Sequence, residues 1–423
     1  MMTLRNRTVV IVGQGYVGLP VAMRAVEVGY NVVGVDLDER RTASLVSGVS
    51  YVDDISESQL RASLLSGRYL PTTDYSNAAG FDVAIITVPT PLREGMPDLT
   101  YIEESSRSLS AHLTRGATVV LESTTYPGTT EELVVPILEK GSGLTAGVDF
   151  FVGYSPERID PGNKTWGFVE TPKVVSGLNT ASLEQVQGFY DDLVHTTVPV
   201  SSPKEAELTK LLENTFRHVN IALVNELAIF GHQLGVNVWE SIEAASTKPF
   251  GFMKFTPGPG VGGHCLPVDP SYLSWQVRRK LGQSFRFIEL ANDINDHMPD
   301  YVVQRVIAIL NRRKLALNGA RVLLVGLAYK KNTGDIRESP SVRLVELLAE
   351  YGAEIAAVDS HVEEHRWPEG VRRAELTRSE LGGCDIAVII TDHDEIDFSI
   401  LSASPTAVLD TKNRVEGVNV ERL

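Results

Sequence analysis

The sequence predicts an α/β fold with two doubly wound parallel sheets, one near each end of the chain, joined by a central helical domain. Three observations support this prediction. Short runs rich in Val and Ile alternate with amphipathic segments in roughly the first 200 residues, a long helical pattern follows, and β/α alternation then begins again. Continuous apolar strands that alternate with helices are typical of parallel sheets covered on both faces.

The predicted strands of the first part are Thr8–Val12, Asn31–Val35, Asp82–Val88, Thr118–Leu121, Phe150–Val152 and Lys173–Ser176. Those of the last part are Arg321–Gly326, Glu354–Val358, Asp385–Thr391 and Ala407–Leu409. A long helix is expected from about Pro203 to Leu234, because Pro suits a first helical turn and Gly235 suits a C-terminal cap. A loop rich in Gly and Pro follows from Lys248 to Pro270, and more helix runs to about Lys314. We therefore expect three domains, over residues 1–202, 203–314 and 315–423.

Composition excludes several classes of protein. The 423 residues are 43% hydrophobic and 22% charged, which is ordinary for a soluble globular protein, and the formal net charge is −15. A surface this negative repels phosphate backbones and anionic lipids, so neither nucleic acid nor membrane is expected as a partner. No apolar run approaches the ~20 residues that span a bilayer, and the N-terminal run is too interrupted by glycine to be a signal peptide.

The cysteine content indicates a reducing compartment. The two cysteines, Cys265 and Cys384, are too few and too far apart for a disulfide framework or a zinc site. We expect a cytoplasmic protein without a bound metal. Cys384 lies in an apolar context and is expected in the core, whereas Cys265 lies in the glycine-rich loop.

A glycine motif follows the first predicted strand. Residues 13–18 read GQGYVG and open a helix. Glycines at these positions allow a pyrophosphate to approach the N–H groups of a helix N-terminus. Asp36 ends the second strand, where a carboxylate binds the ribose hydroxyls of NAD and repels the 2′-phosphate of NADP. The expected NAD contacts in this turn are Gly13, Gly15, Tyr16, Val17 and Gly18; a tight turn without a ligand is the alternative.

Other residues are expected near the cofactor because of where the strands end. In open α/β sheets, ligands bind at the carboxyl ends of the strands. Pro89 and Thr90 follow one strand and Thr124 follows the next, so we expect all three there, with Thr124 on the nicotinamide side. Thr90 as a simple turn residue is the alternative. Arg41 is a candidate for the adenine or the phosphates, or else a solvated helix residue.

Three groups of residues are candidates for the chemistry. Cys265 and Asp269 share the glycine-rich loop, where free N–H groups would favour a thiolate. On the long helix, Lys210, Asn214 and Arg217 lie on one face because they are four and three residues apart. After a predicted strand, Glu157 is a candidate general base and Arg158 a candidate contact for phosphate or sugar. The alternatives are an inert cysteine for the first group, a solvated helix face for the second and a surface turn for the third.

These motifs together resemble the UDP-glucose/UDP-mannuronate family of nucleotide-sugar 6-dehydrogenases. The matching segments span the whole chain and read GQGYVGLP, TVPTP, EST, SPER, KLLENTFRHVNIALVNELA, PGPGVGGHCLPVDP and GLAYKKNTGDIRESPS. The resemblance implies an N-terminal Rossmann domain that binds NAD, a central dimerisation region and a Rossmann-like C-terminal domain that binds UDP. It implies a homodimer, or else a higher homo-oligomer, that oxidises the C6 alcohol of a UDP-sugar to a carboxylate through a thioester.

The resemblance also implies roles for individual residues. Cys265 is similar to the family's nucleophile, and Lys210 and Asn214 to the pair that holds the C6 oxygen. Asp269 and Thr124 resemble the groups that position water, and Glu157 the base for thioester hydrolysis. The resemblance implies NAD-side contact by Arg337 and substrate contacts by Glu157, Arg158, Lys210, Asn214, Arg217, Phe255, Gly258, Gly262 and Lys330.

One departure bears on the sugar. UDP-glucose enzymes of this family carry a second glutamate four residues after the first, and here that position is Pro161. This pattern resembles the branch that acts on N-acetylated UDP-hexosamines, and within it the UDP-N-acetylglucosamine enzymes. UDP-N-acetylmannosamine and UDP-glucose remain alternatives. A β-hydroxyacid dehydrogenase that transfers one hydride, and a non-catalytic protein that binds NAD and UDP, are the rival functions.

Overall fold

The computed structural model describes residues 7–52, 54–93, 95–159, 165–263 and 265–423, apart from the side chain of Cys265. Pro161, on which the argument about the sugar rests, lies outside the described residues. The chain divides into two compact units. The first comprises the residues up to Glu213 together with Arg279–Leu281, and the second comprises Asn214–Arg278 and Gly282–Leu423. The predicted boundaries of three domains remain a prediction.

The first unit contains a six-stranded parallel sheet in the order β3-β2-β1-β4-β7-β8. In chain order, the strands of this unit are β1 (Thr8–Val12), β2 (Asn31–Val35), β3 (Tyr69–Thr72), β4 (Val83–Ile86), β5 (Leu92–Arg93), β6 (Met96–Pro97), β7 (Thr118–Leu121), β8 (Phe151–Tyr154), β9 (Lys173–Val175) and β10 (Thr197–Pro199). Strand β1 lies at the centre, where Val10 is in register with Val33 on one side and Ala84 on the other. The strand order therefore reverses direction between β1 and β4, where the two halves of the sheet meet.

The strands of this unit differ from the prediction in several places, and the short strands β5, β6 and β10 were not predicted. The run Lys173–Ser176 forms strand β9, but β9 pairs with β10 in a separate two-stranded parallel sheet. Strand β3 was not predicted, because its sequence YLPT is short and contains a proline. Proline is tolerated there because β3 is an edge strand and needs fewer ladder hydrogen bonds.

Helices cover both faces of this sheet. They are α1 (Gly18–Val28), α2 (Glu39–Val46), α3 (Glu57–Leu65), α4 (Thr100–Ser110), α5 (Val135–Ser142) and α6 (Thr180–Leu193), and a π-helical turn at Thr130–Val134 precedes α5. Side chains of Asp38, Ser56 and Asn179 cap α2, α3 and α6 by accepting hydrogen bonds from first-turn N–H groups. Helix α1 packs on β1 and β2, and α6 packs on β7, β8 and β9, in a core that contains Leu19, Val186 and other buried apolar side chains.

The central region is helical, as predicted. It contains α7 (Pro203–Leu234), α8 (Val238–Ser246), α9 (Cys265–Leu281), α10 (Arg286–Asp296) and α11 (Met298–Arg312). Helix α7 has the predicted bounds, and Gly235 after it has φ +68°. The prediction of a loop up to Pro270 was wrong, because α9 already begins at Cys265. Pro267 lies in the first helical turn, whose N–H groups are unbonded in any case, whereas Pro270 lies inside the helix.

The second unit contains another six-stranded parallel sheet, in the order β13-β12-β11-β14-β15-β16. Its strands are β11 (Arg321–Val325), β12 (Glu354–Val358), β13 (Arg372–Arg373), β14 (Ile386–Ile389), β15 (Ala407–Asp410) and β16 (Val420–Arg422), and its helices are α12 (Pro340–Glu350), α13 (Arg378–Gly383) and α14 (Ser399–Ser402). Successive side chains of β11 point into two different cores, Leu324 into one and Leu323 into the other. Both faces are therefore buried, which explains the continuous apolar runs. The two doubly wound sheets and the helical region confirm the predicted fold class.

None of the helices in the described ranges is both long and apolar enough to cross a membrane.

Candidate active site

The turn between β1 and α1 leaves room for a ligand at its middle glycine. Gly13 has φ +91°, and a Cβ atom there would lie 2.7 Å from the carbonyl oxygen of Thr87. A Cβ atom on Gly18 would overlap the carbonyl oxygen of Gly13, so the helix packs directly on the turn. Nothing lies within 4 Å of the corresponding position at Gly15. The backbone is thus open only in the middle of the motif, where the side chain of Tyr16 is also exposed.

The same turn presents the uncapped N-terminus of α1. Val17, at the N-cap position, makes no side-chain hydrogen bond to the helix. The carboxylate of Asp36 lies beside this turn and accepts hydrogen bonds from the N–H groups of Gln14, at 2.9 Å, and Asp38, at 3.0 Å. An open glycine, an uncapped helix N-terminus and a fixed carboxylate fit the pyrophosphate and ribose of NAD.

The other predicted cofactor residues of this unit follow its strands. Arg41 lies 3.6 Å from the Asp36 carboxylate and 5.9 Å from the ring centroid of Tyr51. After β4, Pro89 is exposed and Thr90 is buried, and after β7, Thr124 is half-buried. These positions agree with the carboxyl edge of the sheet, at which ligands bind in this class of fold. Their contacts with NAD remain a proposal.

Glu157 and Arg158 follow β8 and have separate partners. The Oε1 atom of Glu157 accepts hydrogen bonds of 2.6 Å from the N–H groups of Arg158 and Ile159. Its Oε2 atom lies 3.1 Å from Nζ of Lys173. The guanidinium of Arg158 lies 2.7 Å from Glu213 and donates to the carbonyl oxygen of Pro172. Arg158 thus joins this turn to α7, three residues beyond Lys210.

The charge of Glu157 is stabilised despite burial. Burial raises the pKa of Glu157, but the Lys173 ammonium, the N–H of Ile159 and the charge of Lys210 outweigh it and hold the pKa below the usual value. Glu157 is therefore ionised at neutral pH and able to accept a proton. The half-buried Lys210 ammonium makes no hydrogen bond or ion pair within the described ranges, so it is available to an oxygen of a substrate.

Asn214 and Asp269 are brought together. The amide Nδ2 of Asn214, on α7, donates a 2.5 Å hydrogen bond to Oδ2 of Asp269, on α9, and both side chains are buried. Asp269 lies one turn after Cys265 on α9, instead of on a loop. The Cys265 side chain lies outside the described part of the structure. Arg217, also on α7, is exposed.

The glycine-rich segment packs closely within the second unit. The N–H of Gly258 donates a 2.9 Å hydrogen bond to Oδ1 of Asn225 on α7. A Cβ atom on Gly262 would lie 2.6 Å from Cβ of Tyr329, so only glycine fits there. Phe255 is half-buried, with its ring centroid 5.8 Å from that of Phe216. The glycines therefore serve close packing against the C-terminal sheet domain as well as any substrate.

The two predicted residues after β11 have different environments. Lys330 is half-buried. Arg337 is exposed, and its guanidinium donates to Asp335 at 2.6 Å and 3.0 Å. The backbone of Arg337 accepts a hydrogen bond from the N–H of Gly263, which ties this segment to the glycine-rich one. Substrate contact by Lys330 and NAD contact by Arg337 remain proposals.

Comparison with known proteins decides the family. Residues 7–194 match the profile described as UDP-glucose/GDP-mannose dehydrogenase family, NAD binding domain. Residues 204–297 match the central domain of the same family, and residues 323–417 match its UDP binding domain. The chain belongs to the UDP-glucose/GDP-mannose dehydrogenase family. It is an NAD-dependent UDP-sugar dehydrogenase, as the sequence predicted.

Individual members of the family are similar over nearly the whole chain. A UDP-N-acetyl-D-glucosamine 6-dehydrogenase from Pseudomonas aeruginosa is 41% identical over 85% of this chain and 84% of its own length. A UDP-N-acetyl-D-mannosamine dehydrogenase from Pyrococcus horikoshii is 36% identical over 92% of this chain and 90% of its own length. A solved structure of UDP-D-ManNAc dehydrogenase from Pyrococcus horikoshii has a TM-score of 0.89 and 34% identity, covering 98% of each chain.

Three groups of residues in this dehydrogenase were missed by the sequence prediction. Lys173 lies 3.1 Å from Glu122 as well as from Glu157, and all three are largely buried. Glu207, on α7, accepts hydrogen bonds from the N–H groups of Gly128, at 2.5 Å, and Thr130, at 2.8 Å. The signal for the first group was a lysine within an otherwise apolar strand. For the second there was none, because a glutamate near the start of a helix is usually solvated.

A third group, Lys412, follows β15 in the UDP-binding domain. A Cβ atom on Gly258 would lie 3.4 Å from its Nζ atom, so the ammonium faces the glycine-rich segment. Burial lowers the pKa of Lys412, and Asp392 and Asp410 oppose this change. The signal that could have identified it was its position just after a strand end.

Cys384 occupies a structural position. Its thiol donates to the carbonyl oxygen of Glu380, and burial raises its pKa. It packs against the core on one face of the C-terminal sheet, which includes Leu323 and Leu381. A thiol in this setting is mostly protonated and a poor nucleophile.

Proposed function

We propose that this enzyme oxidises the C6 alcohol of UDP-N-acetyl-D-glucosamine to the carboxylate, with Cys265 as nucleophile. The overall reaction converts one alcohol, two NAD and one water to a carboxylate, two NADH and three protons. The observation that carries the proposal is the α9 N-terminus, where Cys265 precedes by one turn an Asp269 held by Asn214. A helix N-terminus favours a thiolate, because its N–H groups point toward negative charge.

The proposed steps assign each residue a separate task. Removal of a hydride from C6 and a proton from its oxygen gives an aldehyde, to which the Cys265 thiolate adds. Loss of a second hydride from this thiohemiacetal gives a thioester, and water then displaces the thiolate. A cysteine is required because it is both a strong nucleophile and a good leaving group. Bound NAD supplies the hydride acceptor.

Charged and polar residues support these steps. Lys210 stabilises negative charge on the C6 oxygen, and loss of one such contact typically costs about 10²–10³ in rate. Asn214 holds the same oxygen, while Asp269 and Thr124 position water. Glu157 takes the proton from the water that attacks the thioester, since it is ionised and lies near Lys210 within the first unit.

Replacement of Cys265 by Ser tests the proposal. We expect Cys265→Ser to stop turnover with the sugar bound covalently or held as the aldehyde, because an alkoxide leaves far less readily than a thiolate. NADH released per sugar is measured by absorbance, and the bound species by mass spectrometry. The matched control is Cys384→Ser, which should still yield two NADH per sugar. Two NADH per sugar at the full rate from Cys265→Ser would refute the proposed route.

The identity of the sugar is a separate proposal, for which there is one other main candidate. The motifs around Asn214 and Glu157, and the 41% identity to the Pseudomonas enzyme, support UDP-N-acetyl-D-glucosamine. The fold similarity to the Pyrococcus enzyme favours UDP-N-acetyl-D-mannosamine as the second candidate. Values of kcat/KM for these two sugars, UDP-glucose and UDP-galactose, measured side by side, decide between them. A higher kcat/KM for the mannosamine sugar would overturn the first choice.

A homodimer is proposed from the outer face of α7. Large apolar side chains recur there at helical spacing and are 42–78% exposed, at Leu208, Leu212, Phe216, Leu223, Leu227, Phe230 and Leu234. A continuous exposed apolar stripe on a soluble protein is typical of a protein interface. A second copy of the same helix would cover it in a symmetric arrangement. A cytoplasmic location also remains a prediction.

A further inference from the structure

Glu157 belongs to a buried cluster of three charged groups. The ammonium of Lys173 on β9 is 3.1 Å from Oε1 of Glu122, which follows β7, and 3.1 Å from Oε2 of Glu157, which follows β8. The side chains of Lys173 and Glu122 are 4% and 0% exposed, and that of Glu157 is 12% exposed. The phenol of Tyr190 on α6 donates a hydrogen bond to Glu122.

Burying these three charged groups is less favourable in free energy than the fold requires. Removal of each charge from water is unfavourable even after the protein relaxes, and a single ion pair would already satisfy one carboxylate. When both are ionised, two carboxylates around one ammonium leave a net negative charge in the core. Apolar residues of similar volume would hold these three elements together at least as well. The second carboxylate, Glu122, therefore needs an explanation other than stability.

Of the three charged side chains, that of Glu157 is the most exposed. From its own turn it receives the N–H groups of Arg158 and Ile159, and from α7 it experiences the charge of Lys210. The Arg158 guanidinium turns away to Glu213 on α7. Within the described ranges, its partner from the interior is Lys173, and behind Lys173 lie Glu122 and Tyr190. Lys173, which pairs with Glu157, is thus shared with the fully buried carboxylate of Glu122.

We propose that Lys173 is a positioning residue that holds Glu157 in place, and that Glu122 withholds part of the Lys173 charge so that Glu157 retains its basicity. The inference rests on the proposed role of Glu157 as the base for thioester hydrolysis. Without Glu122, Lys173 would pair with Glu157 alone and make it a weaker base. Without Lys173, two neighbouring carboxylates would repel each other.

The protonation of the cluster agrees with this division. Burial raises the pKa of Glu122, the charge of Glu157 adds to that effect, and the Lys173 ammonium opposes it. Burial lowers the pKa of Lys173, but the two carboxylates outweigh it and raise that pKa above the usual value. Lys173 therefore remains charged, and its charge is divided between the two glutamates.

The test measures thioester hydrolysis directly as a function of pH. Release of the uronic acid product is followed by rapid quench after a single turnover, between pH 5 and 9. Because a base acts only when ionised, the rate falls on the acid side at the pKa of Glu157. We expect Glu122→Gln to move this acid limb down by about one pH unit and Lys173→Met to move it up by about one unit or more. Lys173→Arg, which keeps the cation, should leave the limb near its wild-type position.

Each outcome decides one question. Limbs that move in opposite directions for Glu122→Gln and Lys173→Met support the inference. Lower rates with an unmoved limb would show that the cluster is merely structural. Should Lys173→Met fail to fold, as judged by thermal unfolding, the direction of the Glu122→Gln shift alone decides. Wild-type hydrolysis by Glu157→Gln would instead overturn the role of Glu157 in the proposed function, whatever the other variants show.

Discussion

The carboxylate of Asp36 fixes the local backbone and is also the proposed ligand of the NAD ribose. It is 8% exposed and accepts hydrogen bonds from the N–H groups of Gln14 and Asp38, so it fixes the turn after β1 and the start of α2. Each of its oxygens can accept a further hydrogen bond. The position of Asp36 at the end of β2 and the open backbone at Gly15 were both predictable, because local sequence determines this turn.

Replacement of Asp36 should separate the two substrates kinetically. We expect Asp36→Ala to raise the KM for NAD by roughly 10- to 100-fold, since a hydrogen bond to a charged group contributes about 1.5–3 kcal/mol. The KM for the UDP-sugar should change much less. Initial rates with each substrate varied in turn provide the measurement.

A second aspartate serves as a control for the loss of a hydrogen bond between a carboxylate and the backbone. Asp82 likewise accepts a hydrogen bond from a backbone N–H, that of Thr8, but at the start of β1 and β4. Asp82→Ala should leave the KM for NAD unchanged. Equal increases of both KM values in Asp36→Ala would remove Asp36 from the ribose site.

At the scale of elements, helix α7 has two faces with different tasks. Glu207, Asn214, His218 and Asn225 are buried and lie within one side of the helix, since successive residues are rotated by ~100°. Each has a different partner, namely the segment after β7, Asp269, Asn292 and Gly258. The apolar stripe lies on roughly the opposite side. The spacing of Lys210 and Asn214 predicted the polar face, but the partners come from distant parts of the chain.

Glu207 makes the anchorage of α7 dependent on pH. Burial raises the pKa of Glu207 to about 7, although hydrogen bonds from Thr130 and Gly128 oppose the change. Because folding raises this pKa, the associated stabilisation is fully present below the ordinary value and is lost as pH rises through about 7. The expected loss is about 3 kcal/mol.

Chemical denaturation of the wild type and Glu207→Gln at pH 5, 6, 7 and 8 tests this expectation. Gln is neutral throughout, so the free energy of unfolding of the wild type should fall relative to that of the variant as pH rises. A difference between the two proteins that stays constant over this range would show that Glu207 does not titrate there.

At the scale of the whole molecule, two doubly wound sheets with the same strand order lie in one chain, each within its own compact unit. The order places β1 beside β4 and β11 beside β14, which creates a topological switch point in each sheet. Ligands bind at such points, at the carboxyl ends of the strands. The predicted cofactor residues of the first sheet, and Lys330 and Lys412 of the second, follow these ends.

The prediction for the whole molecule concerns its oligomeric state. We expect Leu223→Glu combined with Leu227→Glu to convert the proposed dimer to a monomer, because a charge on each copy must then be buried in the interface. Sedimentation velocity gives the oligomeric state. The control is Leu65→Glu on α3, which is 88% exposed and outside the stripe, and should remain dimeric. A wild-type protein that sediments as a monomer at micromolar concentration would contradict the proposal.

The sequence alone determined the fold class, the bounds of α7, the glycine turn with Asp36 and, through its motifs, the family. These features depend on residues close together in the chain, whose spacing and periodicity are visible without a structure. Only the tertiary structure decided that Lys173 lies between Glu122 and Glu157, that Glu207 anchors the segment after β7, and that Asn214 bonds to Asp269. Those contacts join residues far apart in the sequence, and burial, not residue type, determines what their charges do.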